Sequence, residues 1–94
     1  MLNKIILCGR IASDLDNVEN NTMIVAVPRQ YKNEEGIYET DMIPVMLFGN
    51  AIENTSKYCK KGDVVGVNGR IELRDNNIVI ICDKLSFLSS KKED

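Results

Sequence analysis

Apolar residues in this chain fall into short runs broken by clusters of Asp, Asn, Gly and Pro, and no run approaches the roughly 18 residues a membrane-spanning helix needs. Punctuation of this kind favours short strands. Residues 2–11 read as a first strand, in which Gly9-Arg10 mark a bulge or a point where another backbone comes close. Residues 12–21 have the Asp- and Asn-rich composition of a turn, and residues 22–27 form a second strand stopped by Pro28. Residues 29–38 read as a polar hairpin loop. Residues 42–48 make a third strand, where Pro44 fits only at an edge or a bulge because it cannot donate to a ladder.

The segment after Gly49 carries the one helical pattern. Asn50 is placed to cap, Glu53 completes a capping box, and Ala51, Thr55, Tyr58 and Cys59 line one apolar face. Lys60, Lys61 and Gly62 mark its end, since cations suit the helix dipole and glycine accepts a left-handed cap. Residues 64–73 are a fourth strand, Asp75-Asn76-Asn77 a tight turn, and residues 78–82 a fifth strand that extends toward Leu85 and Leu88. The class is therefore all-β with one helix. Five strands with that helix between the third and fourth is the order of the OB-fold, a partly open Greek-key barrel, although order alone leaves other small barrels open.

Ninety-four residues make one domain, taken as residues 1–88, with residues 89–94 as a short polar tail that frays. The first residues lack the charged and apolar regions of a signal peptide, so the expected location is the cytoplasm. Cys8, Cys59 and Cys82 are an odd set without CxxC spacing, each in an apolar segment, and read as buried free thiols. The absence of histidine removes the commonest general base and zinc ligand. With no phosphate-cradling or nucleophile-elbow motif either, no catalysis and no cofactor are expected. Asp14, Asp16 and Glu19 fit turn chemistry better than a metal site. A net charge of −2 speaks weakly against a nucleic-acid partner but does not say where the charges sit.

Three blocks of sequence are more specific. Met1-Leu2-Asn3-Lys4-Ile5-Ile6-Leu7-Cys8-Gly9-Arg10-Ile11 resembles the opening of bacterial and phage single-stranded DNA-binding proteins. Val45-Met46-Leu47-Phe48-Gly49-Asn50-Ala51 and the stretch from Tyr58-Cys59-Lys60-Lys61-Gly62-Asp63 to Asn68-Gly69-Arg70-Ile71 follow in the same order. The resemblance implies an OB-fold that assembles as a homotetramer, or a dimer, and binds single-stranded DNA in replication, recombination and repair without turnover. It also implies base stacking at Tyr31, Met42 and Phe48. Tyr31 stands where tryptophan is usual, Met42 replaces an aromatic, and the hairpin that carries a fourth aromatic is cut to Asp75-Asn76-Asn77. The family's acidic C-terminal tip is not matched, so recruitment of repair proteins through it is not expected.

A protein that takes any single strand must use phosphates and base faces, which cations and aromatic rings match. Arg10, Arg29, Arg70 and Arg74 lie in or beside strands and are the preferred phosphate partners, with Lys32 beside Tyr31. Lys57, Lys60 and Lys61 are weaker candidates, the last two being accounted for by helix capping. For each cation, plain solvation or pairing with the 14 acids competes. Tyr31, in a polar loop between cations, suits stacking, whereas core packing competes at Phe48. Tyr38 is intermediate, and Tyr58 and Phe87 read as core. Two other functions stay open: a primosomal-replication-type OB protein that bridges replication proteins, and an OB-fold interaction module with little DNA affinity.

Overall fold

The computed structural model describes residues 1–14 and 21–90. The strands are β1 (Ile5–Ile11), β2 (Thr22–Lys32), β3 (Tyr38–Met46), β4 (Val64–Arg74) and β5 (Asn77–Ser89), with helix α1 (Asn50–Tyr58) between β3 and β4. They close into a barrel in the order β1-β2-β3-β5-β4. Among the described residues, neighbouring strands are antiparallel except β3 and β5, whose parallel pairing joins Val45 to Ile80 and Met46 to Ile81.

Period-two alternation puts one set of side chains inside. Met23 and Val25 on β2, and Val65 and Val67 on β4, are fully buried, and Ile11, Val45, Leu47, Ile81 and Cys82 complete the core. Each large aliphatic side chain so buried contributes about 1.5–3 kcal/mol by transfer from water, against the entropy of ordering it. Two glycines mark where backbones touch. A Cβ at Gly9 would collide with the carbonyl oxygen of Ala26, and one at Gly69 with that of Ile81. The register of β1 on β4 runs unbroken from Ile5 to Arg10, so Gly9 is a close approach and not a bulge. Bulges lie instead on β5, where the register shifts between Val64↔Ser89 and Val65↔Phe87 and again between Asn68↔Lys84 and Gly69↔Cys82, and on β2 after Pro28.

Several expectations are corrected. The first strand begins at Ile5, and Pro28 does not stop the second, which continues to Lys32. Pro28 still pairs with Thr40, and a register shift follows it, so the proline is absorbed where the ladder is already irregular. The expected loop therefore shrinks: the Asn33 N–H donates to the Ile37 carbonyl (2.8 Å), and the Asn33 Oδ1 accepts from the N–H groups of Glu35 and Ile37. The third strand is shifted to Tyr38–Met46, leaving Phe48 just outside it. Pro44 lies opposite Ile24 and before the residues that pair with β5, which is an edge position as expected.

The helix has Gly49 as its N-cap with no side-chain cap, so Asn50 is the first helical residue and the capping box is not formed. Its C-cap is Cys59 in extended backbone, and the expected left-handed glycine follows three residues later at Gly62 (φ 97°). Lys60 N–H donates to the buried Asp63 carboxylate (2.9 Å), while Ile11 N–H donates to Asp63 O and Gly62 N–H to Ile11 O, tying the helix exit to the end of β1. Thr55 is the buried residue of α1, and Tyr58 projects outward. Phe87 is likewise half exposed, because α1 stands off from this part of β5 and leaves a groove between them. Of the thiols only Cys82 is buried, Cys59 is half-buried, and Cys8 is exposed on the outer side of β1. Burial raises the pKa of the Cys82 and Cys59 thiols. The turn Asp75-Asn76 has positive φ at both residues (50° and 65°), the left-handed pair that closes a two-residue hairpin. β5 runs one residue beyond the expected domain end, and residues 91–94 of the expected tail lie outside the described residues.

Candidate nucleic-acid interface

Residues directly opposite in an antiparallel pair share a face. Arg10 on β1, Ala26 on β2 and Met42 on β3 therefore form one row on the outside of the barrel. With strands about 4.8 Å apart, Arg10 and Met42 are separated by about 10 Å across Ala26, and Met42 is 57% exposed. Tyr38, Thr40, Pro44 and Met46 continue the Met42 side of β3 by alternation. At one end of that stripe Lys32 lies opposite Tyr38, its Nζ 5.6 Å from the ring centroid. At the other end Leu47 turns into the core and Phe48 turns out, 41% exposed, with the Arg74 guanidinium 5.3 Å from its ring centroid.

Tyr31 is placed by the irregularity in β2. Between Pro28↔Thr40 and Lys32↔Tyr38, the three residues Arg29, Gln30 and Tyr31 stand against Glu39 alone. That bulge pushes the Tyr31 ring into solvent, 64% exposed.

The arginines are not bare. Arg29 grips Asp41 through Nε and Nη2 (3.1 and 2.9 Å) and reaches Glu39 through Nη1 (2.7 Å). Arg70 donates to Glu72 (2.9 Å) and to Asp83, and Arg74 donates to Glu72 (3.0 Å). The hydrogen bond from Arg29 holds the Asp41 carboxyl below its usual range, and those from Arg74 and then Arg70 do the same for Glu72. Arg29 is raised by the same bond to Asp41, and Arg70 chiefly by its bond to Glu72. Arg10 donates to the carbonyl of Gly62 (2.9 Å) and keeps an exposed side chain. The ion pairs are at the surface, where each contributes little stability.

The expected site residues thus fall into neighbouring groups. Arg10 and Met42 share a row; Arg29, Tyr31 and Lys32 gather at the β2 bulge; Phe48, Arg74 and Arg70 form a chain linked through Glu72. Lys57 is drawn to the Tyr58 ring on α1, 5.4 Å from its centroid. Sequence reasoning allowed for pairing with acids but did not say which acids hold the arginines. The signal was present in Tyr38-Glu39-Thr40-Asp41-Met42, where acids occupy every second position and so fall on one side of the strand. Among the described residues no group of His, Cys, Asp and Glu is placed to hold a metal, while Asp16 and Glu19 lie outside them. No helix of the described residues is long and apolar enough to cross a membrane.

A closed five-stranded barrel in this strand order, with its helix between the third and fourth strands, is an OB-fold protein, and this one carries rings and cations on an exposed strand face. The chain belongs to the single-strand binding protein family, whose model matches residues 2–78. Single-stranded DNA-binding protein 1 of Clostridium acetobutylicum is 34% identical over 98% of this chain and 98% of its own length. Single-stranded DNA-binding protein B of Bacillus subtilis is 38% identical over 79% of this chain and 71% of its own. Solved structures agree on the fold. The mitochondrial single-stranded DNA binding protein of S. cerevisiae superposes with a TM-score of 0.69 at 18% identity, over 96% of this chain and 97% of that one. The Plasmodium falciparum protein, solved in complex with single-stranded DNA, gives 0.68 at 23% identity, over 95% and 96%.

Proposed function

We propose that this chain binds single-stranded DNA without sequence preference, as a cytoplasmic protein of replication, recombination and repair that transforms nothing. The observation that carries this reading is the outer stripe running from Tyr38 through Met42 to Phe48, flanked by Arg10, Lys32 and Arg74. It offers flat or polarizable surfaces to bases and cations to phosphates, the two features every single strand shares. Family membership and the names of its relatives agree. Fluorescence anisotropy with labelled poly(dT) at two salt concentrations tests it: affinity falls as salt rises, and an absence of binding at low salt overturns the reading.

Assembly into a homotetramer or dimer belongs to the same proposal. β1 pairs with β2 only at Arg10 and Ile11, with Gly9 packed against Ala26, so residues 5–8 carry a ladder on the β4 side alone. An open strand edge with an exposed Ile6 beside it invites pairing with a second copy. Light scattering with and without oligonucleotide measures the state directly. One observation favours a second reading, an interaction module with little DNA affinity: Arg29, Arg70 and Arg74 are all held by carboxylates.

A further inference from the structure

Helix α1 and the outer half of β5 enclose a groove of about 350 Å³ that the stripe on β3 does not include. Its walls include Asn50, Asn54, Tyr58, Asp83, Lys84 and Phe87. We infer that this groove is a second stacking subsite, into which a single strand leaving Phe48 continues along α1 to stack on Tyr58 and Phe87. The inference rests on the proposed binding of single-stranded DNA and extends it to a face that reading does not use.

Continuity is the first reason. Ala51, in the groove wall, donates its N–H to the Phe48 carbonyl (3.1 Å), so the groove opens two residues beyond the last ring of the stripe. Ring exposure is the second. Tyr58 and Phe87 are 67% and 50% exposed, while Ala51, Ile52 and Leu85 on the same two elements pack against the core, so each ring leaves surface open to a planar ligand. Charge is the third. Lys84 lines the groove and Lys57 lies over the Tyr58 ring, while the one acid in the wall, Asp83, is already held by Arg70. Glu53, the acid of α1, is not among the walls. Cations beside exposed rings suit a polyanion carrying bases better than an apolar peptide, which gains nothing from Lys57 and Lys84. The Asn50 and Asn54 amides supply donors and acceptors that any base edge can use.

The chain contains no tryptophan, so Tyr58→Trp creates a single reporter without background. Two dT oligomers are used, one of about 6 nucleotides, near the lower end of what one OB-fold covers, and one well beyond the upper end of about 16. The long oligomer is expected to quench the Tyr58→Trp emission while the short one binds, by anisotropy, without quenching. Tyr58→Ala and Phe87→Ala are expected to weaken the long oligomer about 5- to 150-fold and leave the short one unchanged, one stacked base being worth about 1–3 kcal/mol at 1.4 kcal/mol per tenfold. Failure of the unaltered protein to bind either length overturns the binding reading itself. Normal binding with no quenching and no loss in either alanine variant overturns the groove alone, as does an equal loss on both lengths. Quenching by an added apolar peptide, but not by the long oligomer, assigns the groove to a protein partner instead.

Discussion

The guanidinium of Arg74 lies 5.3 Å from the centre of the Phe48 ring while its Nη2 donates to Glu72 at 3.0 Å. One side chain at the tip of the β4–β5 hairpin is thereby held over a ring that sits just past β3, and two elements far apart in sequence meet at one place on the surface. A base stacking on the other face of Phe48 would leave that guanidinium in place beside it.

Phe48 ends the stripe beside Arg74, and removing it exposes what stacking contributes. Phe48→Ala is expected to weaken poly(dT) binding by about 1–3 kcal/mol, the worth of one base on an aromatic ring. Arg74→Ala should weaken it less and also flatten the salt dependence, because it removes a phosphate partner. Anisotropy titrations of both variants and of the double variant over a salt series measure the two effects and their coupling.

Tyr31 stands free of the core at the β2 bulge. Tyr31→Ala is expected to weaken poly(dT) binding while the Tm stays nearly unchanged, since no buried contact is lost. Equal affinity of the two proteins contradicts a stacking role for this ring.

Asp41 and Glu39 occupy the Arg29 fork that a phosphate would use. Asp41→Asn is expected to tighten binding at low salt and to steepen the slope of log affinity against log salt by about 0.7, the increment of one added phosphate contact on a single strand. A salt series on the variant checks it; an unchanged slope means that Arg29 faces no phosphate.

Stability should fall on the acid side. Arg29 lowers the pKa of Asp41, and Arg74 with Arg70 lowers that of Glu72, so in the folded state both carboxylates hold their charge to lower pH than in the unfolded chain. A depressed carboxylate pKa contributes stability above the unfolded value, about 4, and loses it as pH drops through the folded value. Tm is expected to decline below about pH 4, and Glu72→Gln to show a shallower decline than the unaltered protein. Thermal melts across that range in both proteins decide it.

Much of the fold was legible along the chain. Alternating apolar residues in β2 and β4, the Asp75-Asn76 turn and the glycine after β3 each specify local geometry through short-range sterics, so strand number and helix position could be read from residue order. The sequence blocks around Gly9 and Phe48 likewise carried the family. What the chain could not disclose by itself was which side chains stay outside and which charges neutralise one another. Tyr58, Phe87 and Cys8 look like core residues in sequence and are exposed, because burial depends on whether a second layer covers that stretch of strand or helix. The pairing of Arg29 with Asp41, 12 residues away, and of Arg70 with Asp83, 13 away, exists only through strand register. Local propensity acts over a few residues, whereas a binding face is assembled from strands that meet only when the barrel closes.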